Sequence, residues 1–300
     1  MTQRALYDCL ATLAGLGESS SPGDMITEST LADARTSPAV HLLVVEDNAV
    51  NQLVAVGMLE SQGHRVDIAA DGEAAIEAVS KVRYAAVFMD CQMPVMGGYE
   101  ATRAIRALEG PRRHTPIIAM TADAMLADRD RCLEAGMDDY VAKPVRLEDL
   151  LAVVARWTGL GGAAGRAGWV AFANPSDPAV VTTPDVLDPG VVGGLVDMFG
   201  ESREMSHLVD TFIENAITRL EELHRGLEGS DAGLVARTCH SLKGSSANLG
   251  ALTLAELCAE LERASTNHEM VGGADILRRL EAEFGRVHPA LLAAFSAPRR

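Results

Sequence analysis

The chain is 300 residues long, 48% apolar, and carries 26 basic against 42 acidic side chains, a net charge of −16. At roughly 100–200 residues per domain this length predicts two domains or one large one; the apolar share excludes a mainly disordered chain, and the acidic field disfavours nucleic acid and anionic lipid as partners. No apolar run approaches the roughly 18–20 residues of a membrane span, Asp8 interrupts the stretch a secretory signal would need, and five scattered cysteines (Cys9, Cys91, Cys132, Cys239, Cys258) without C-x-x-C spacing predict reduced thiols in a cytosolic chain, not disulfides or zinc.

In chain order, residues 1–16 form a short amphipathic stretch, and residues 17–39 are rich in Ser, Thr, Gly and Pro without a hydrophobic period, which predicts a flexible linker. Residues 40–157 then alternate. Apolar runs at His41–Val45, Val66–Ala69, Ala85–Met89, Pro116–Met120 and Tyr140–Ala142 predict strands, and Ala49–Ser61, Gly72–Val82, Gly98–Leu108, Leu126–Ala135 and Leu147–Trp157 predict helices. Short strands of unbroken apolarity suit a parallel sheet covered on both faces. Five β-α units predict an α/β doubly wound domain with a five-stranded parallel sheet. Residues 158–184 read as a second flexible linker; the glycines at Gly159–Gly168 follow a helix instead of a strand, and no Gly-Lys-Ser/Thr follows, which argues against a phosphate loop. From 185 to 300 the period changes. Leu208, Phe212, Ala216, Leu220, Leu223 and Leu227 recur every three or four residues, as do Leu254, Leu257 and Leu261, and Ala274–Phe295 adds a long helix or a pair. With Ser230-Asp231 and Gly250 as punctuation, an all-α four-helix bundle is predicted.

In a doubly wound sheet, ligands bind beyond the carboxyl ends of the strands. Glu46 and Asp47 follow the first predicted strand, Asp90 the third, Thr121 the fourth and Lys143 the fifth. Singly, an aspartate after a strand is more often a helix cap or turn residue. Together, three carboxylates, a hydroxyl and an ammonium converge on one edge. Such a cluster is electrostatically costly without a hard cation, and Mg²⁺ suits oxygen ligands.

The runs Val45-Glu46-Asp47-Asn48, Met89-Asp90-Cys91-Gln92-Met93-Pro94-Val95-Met96-Gly97-Gly98, Met120-Thr121-Ala122 and Lys143-Pro144 resemble the receiver domain of two-component response regulators, which has a flavodoxin-like fold. Glu46-Asp47-Asn48 followed by Asn51-Gln52 looks especially like receivers attached to hybrid sensor histidine kinases. The resemblance implies that Asp90 accepts a phosphoryl group, and that Asp47, Glu46, Asp90 and the Gln92 carbonyl hold Mg²⁺. It also implies that Thr121 and Lys143 contact phosphoryl oxygens and that Thr121 and Tyr140 form a switch; a half-buried edge aromatic is the plainer reading of Tyr140. Gln3–Ala11 echoes Val145–Ala152, the start of the last predicted receiver helix, so residues 1–16 are expected to be a remnant helix of an upstream receiver in a longer parent chain.

Of eight histidines, His240 stands apart by its helical position. Taking Leu234 as zero at about 100° per residue, Thr238, Leu249, Leu242 and Val235 fall between about 40° and 100°, a buried stripe, while His240 falls at about 240°. Ala236, Gly244 and Ala247 flank it, with Arg237 and Lys243 nearby. A glycine inside a helix is unfavourable against alanine and calls for a reason. Small neighbours let another active site approach an exposed imidazole, and two cations favour phosphoryl oxygens. The segment Cys239-His240-Ser241-Leu242-Lys243-Gly244-Ser245-Ser246-Ala247-Asn248-Leu249-Gly250 resembles the signature of histidine phosphotransfer (HPt) domains. That resemblance implies phosphorylation at His240 and a docking surface of Ala236, Arg237, Lys243, Gly244 and Ala247.

The expected function is a phosphorelay: from an upstream histidine kinase to Asp90, then to His240, then to a downstream response regulator receiver. The alternative is a regulatory C-terminal fragment of a hybrid histidine kinase whose receiver mainly binds and sequesters a partner protein. No ATP-binding kinase domain is recognisable in these residues. Residues 185–300 carry 11 basic and 18 acidic side chains and no basic recognition helix, so nucleic acid is not expected. A cytoplasmic location without membrane contact by this segment is expected, leaving room for an inner-membrane anchor in a parent chain.

Overall fold

The computed structural model describes residues 39–110, 113–121, 126–158, 186–200, 202–266 and 272–296. The expected remnant helix at 1–16 lies outside the described residues. So do the two linkers, apart from Ala39 and Thr158 at their edges.

The first half alternates strand and helix. In order these are β1 (His41–Val45), α1 (Ala49–Glu60), β2 (Arg65–Ala69), α2 (Gly72–Lys81), β3 (Ala86–Asp90), α3 (Gly98–Leu108), β4 (Ile117–Thr121), α4 (Leu126–Ala135), β5 (Asp139–Ala142) and α5 (Leu147–Thr158). The strands form one parallel sheet in the order β2-β1-β3-β4-β5. The three inner strands are almost wholly buried, whereas β2 at one edge carries Asp67 and leaves Ile68 49% exposed. Side chains alternate between faces. Leu42, Val44, Phe88, Ile118 and Met120 meet Val50, Val54 and Leu59 of α1 and Leu150, Val153 and Val154 of α5. Leu43, Val45, Val87, Met89 and Ile117 meet Ala75 and Val79 of α2 and Ala101 and Ile105 of α3. Fully burying such a side chain stabilises by about 1.5–3 kcal/mol, which fixes the register that aligns the strand ends.

Two strands run one residue further than their apolar runs. Asp90 and Thr121 are the last ladder residues of β3 and β4, because register, not polarity, ends a strand.

The second half is helical: α6 (Pro189–Phe199), α7 (Arg203–Glu228), α8 (Ala232–Asn248), α9 (Leu252–Thr266) and α10 (Gly273–Ser296). Asp188 caps α6, accepting from the backbone N–H of Gly190 at 2.8 Å and of Val191 at 2.9 Å. Asp231 caps α8 through the Leu234 N–H at 2.9 Å. Leu208, Phe212, Ala216 and Leu223 of α7 share a core with Val235, Cys239 and Leu242 of α8, Leu254, Cys258 and Leu261 of α9, and Leu277, Leu280, Val287 and Leu291 of α10. The long C-terminal stretch is a single helix although it contains Pro289. Helix α6, which the leucine spacing did not signal, buries Leu195 beside this bundle.

The two halves are in contact, and the apolar core of the α1 face is continuous with that of the bundle. Among the described residues no helix is long and apolar enough to cross a membrane.

Candidate functional site

The carboxyl ends of β1 and β3 deliver Glu46 and Asp90, each 2% exposed, with half-buried Asp47 between them. Oxygens of the three carboxylates lie within 4.8 Å of one another. Gly98 permits this packing at the start of α3: a Cβ there would stand 2.1 Å from the Asp90 carbonyl oxygen. Lys143, just past β5, reaches back to Glu46 Oε2 at 2.7 Å and Asp90 Oδ2 at 2.8 Å. Its backbone N–H donates to the Thr121 carbonyl at 2.7 Å, tying the ends of β4 and β5 together. The Gln92 N–H donates to Asp90 Oδ1 at 3.1 Å, so the loop after β3 helps orient that carboxylate.

One ammonium does not balance three carboxylates. Burial pushes the Glu46 carboxyl above its ordinary pKa; Lys143 opposes this and Asp90 adds to it. Asp47 is also raised, by burial first and then by Glu46. Burial alone would lower Lys143, but the charges of Asp90 and Glu46 outweigh it and hold the ammonium above its ordinary value. The oxygen-only donor set and its unbalanced negative charge fit a hard divalent cation such as Mg²⁺.

On α8 the stripe is Val235, Thr238, Cys239, Leu242, Ser245 and Ser246, and His240 points away from it. The imidazole is nevertheless only 13% exposed, where the sequence had suggested an open surface. Two neighbours account for this. Glu262 of α9 meets His240 Nδ1 at 2.9 Å through Oε1 and accepts from Lys243 Nζ at 2.6 Å through Oε2. Burial would raise the Glu262 carboxyl, but the His240 and Lys243 hydrogen bonds outweigh it and hold it below its ordinary pKa of 4.5. An ionised carboxylate only accepts, so Nδ1 carries a proton, and in the neutral imidazole the lone pair is then on Nε2.

The second neighbour is the first domain. Glu46, Asp47, Asp90, Gln92 and Lys143 share a cavity of about 650 Å³ with Arg219, Arg237, His240, Lys243, Gly244 and Ala247. Asn48, which caps α1 by accepting from Val50 N–H at 2.9 Å, donates to Ser241 Oγ at 2.9 Å. Asn51 donates to Glu46 Oε1 at 2.8 Å and accepts from Asn248 Nδ2 at 2.9 Å, linking the acidic cluster to α8. Gly244 lies against this link: a Cβ there would stand 3.3 Å from Asn51 Nδ2, a tight contact.

The cavity thus gathers most of the residues singled out in the sequence. Thr121 at the end of β4 and half-buried Tyr140 within β5 are not in its lining, and neither is Ala236, where the longer Arg237 and His240 form the wall. Sequence reasoning missed Glu262, Arg219 and the Asn48–Ser241 and Asn51–Asn248 pairs. Asn48 carried a signal, as a capping residue before an apolar-periodic helix. Glu262, 22 positions after His240, carried none, because only the packing of α8 on α9 brings it close.

Known families account for both halves. The family model for the response regulator receiver domain matches residues 42–155, and that for the Hpt domain matches residues 207–290. The sensor protein GacS of Pseudomonas syringae pv. syringae is 43% identical over 127 residues, covering 42% of this chain. The chain spans only 14% of that relative's length. The receiver domain of sensor histidine kinase PA1611 from Pseudomonas aeruginosa PAO1, whose crystal structure has magnesium coordinated in its active-site cleft, is 50% identical, with a TM-score of 0.38 over 41% of this chain and 99% of that one. Histidine-containing phosphotransfer protein B from the same organism is 32% identical, with a TM-score of 0.36 over 39% of this chain and 100% of that one. Residues 42–155 match the response regulator receiver family and residues 207–290 the Hpt family, so the chain carries a receiver domain followed by an Hpt domain.

Proposed function

We propose that Asp90 accepts a phosphoryl group from a phosphohistidine of an upstream histidine kinase and passes it to His240, which hands it to the receiver of a downstream response regulator. The observation that carries this reading is the shared cavity: Asp90 and His240 line the same space. Glu46, Asp47, Asp90 and the Gln92 carbonyl are the residues proposed to hold Mg²⁺, which when bound neutralises charge on the transferring group. Lys143 supplies a fixed positive charge from the receiver, and Arg237 and Lys243 supply two more from the Hpt side.

Phosphoryl transfer depends on an in-line nucleophile and charge stabilisation more than on covalent help. In the step from Asp90, the Nε2 lone pair of His240 forms the new N–P bond. The acyl O–P bond breaks and its electron pair returns to the Asp90 carboxylate. The Nδ1 proton stays in place, and the Glu262 charge offsets the positive charge that develops on the ring. Thr121 and Tyr140 are proposed as the switch that reports the phosphorylated state, since a two-state hydroxyl and aromatic pair on the adjacent strands β4 and β5 can shift together. By the same reading the segment acts in the cytoplasm, within a longer hybrid kinase.

Acetyl phosphate with Mg²⁺ should label the protein at Asp90 and then at His240. Asp90→Asn should lose both labels, and His240→Gln should keep the first alone. Label on His240 in the Asp90→Asn variant would overturn the order of transfer. The partner-sequestering alternative predicts label that stays on Asp90 in the unaltered protein.

A further inference from the structure

Phosphoryl chemistry does not explain one contact between the two domains. Gly57 lies inside α1, and a Cβ added there would stand 2.2 Å from Cζ and 2.4 Å from Cε1 of Phe199. The ring occupies the space that a Cβ at 57 would need, so a side chain there requires the ring to shift. Glycine inside a helix is unfavourable against alanine, and here the absence of a side chain admits the ring. Phe199 is the last residue of α6, and Gly200 ends that helix at φ 60° and ψ −156°, a backbone region essentially reserved for glycine.

Helix α6 is tied to the bundle and touches α1 of the receiver. Leu195 is 3% exposed, and the Asp188 N–H donates to the Gly250 carbonyl at 2.8 Å. It also precedes the residues that match the Hpt family, which begin at 207. The polar contacts of Asn48 and Asn51 hold the site end of α1, and Phe199 holds it further along. Between Asn51 and Gly57 the helix rises about 9 Å, so two separated points fix how α1 lies on the bundle.

We propose that α6 is a docking latch for this chain's own receiver, in which Phe199 recognises the missing side chain at position 57 and thereby selects which receiver presents its aspartate to His240. The inference rests on the phosphotransfer reading above, but docking and transfer can be measured separately. A receiver with a larger residue at that position of α1 meets the ring and is refused, which is specificity by exclusion.

The test uses the full chain with Gly57→Leu, Phe199→Ala and the pair combined. The latch requires each single variant to increase the radius of gyration in small-angle X-ray scattering. Each should also slow transfer from Asp90 to His240 about tenfold, the factor that corresponds to 1.4 kcal/mol. Initial labelling of Asp90 by acetyl phosphate and Mg²⁺ should not change. The double variant should recover compactness and most of the rate, because removing the ring makes room for leucine; general damage to either helix would not be relieved this way. Single variants as compact as the unaltered protein, or a double variant as expanded as its parents, would overturn the latch. Scattering that follows the expected pattern while no label reaches His240 in any form would uphold the latch and overturn the phosphotransfer reading instead.

Discussion

Glu262 decides which nitrogen of His240 is free, and it does so by charge. Its depressed pKa means that its ion pair with Lys243 and its hydrogen bond to His240 stabilise the fold above pH about 4.5, and that this contribution is lost as pH falls through the lower folded-state value. Glu262→Gln should therefore cost about 1–2 kcal/mol at pH 7, a cost that shrinks as denaturation is measured at progressively lower pH below about 4.5. A penalty independent of pH would mean that packing, not charge, is what Glu262 provides. Glu46 and Asp47 have the opposite sign. Their raised values mean that holding them ionised at neutral pH destabilises the metal-free fold, and the loss is relieved as pH falls. Asp47→Asn should raise the melting temperature without metal. Magnesium at about ten times its Kd should stabilise the unaltered protein by about 1.4 kcal/mol, a few degrees in Tm, and should do much less for the Asn variant. Thermal melts with and without Mg²⁺ read both effects.

At the scale of elements, the site depends on junctions. The loop from β3 to α3 returns so tightly that a Cβ on Gly98 would fall 2.1 Å from backbone, which cannot rotate away as a side chain can. Gly98→Ala should destabilise the receiver by about 1–3 kcal/mol, as overpacking does, and should lower Asp90 labelling even in molecules that remain folded. Chemical denaturation combined with acetyl phosphate labelling separates the two effects; unchanged labelling would show that Asp90 tolerates the shift. Helix α1 serves two partners at once. Its buried side packs on the sheet through Val50, Val54 and Leu59, while Asn48, Asn51 and Gly57 face the bundle. Its apolar pattern was legible in sequence, but the meaning of its small and polar positions was not, because they address another domain.

At the scale of the whole molecule, Asp90 and His240 of one chain line the same cavity. Two sites joined in one chain can meet at an effective concentration up to about the millimolar range. At low micromolar protein, transfer within one chain should therefore outrun transfer between chains. Mixing Asp90→Asn with His240→Gln leaves only the intermolecular route. If the mixture matches the rate of the intact protein at that concentration, the domains exchange phosphoryl groups between molecules.

The sequence by itself determined the strand-helix alternation of residues 40–157, the helical bundle after 185, and the five strand-end residues Glu46, Asp47, Asp90, Thr121 and Lys143. All of these follow from local signals: apolar runs, their period, and the polar residue at which each run stops. His240 was legible as an outlier on its own helix, because one helical period suffices to place it opposite the buried stripe. Only the tertiary structure decided that Glu262 holds Nδ1, that Asn51 joins Glu46 to Asn248, that Gly57 admits Phe199, and that Asp90 and His240 share a cavity. Each of these is a meeting of residues from different elements, some nearly two hundred positions apart. Periodicity fixes which way a side chain faces on its own element, and the packing of whole elements fixes what it then finds there.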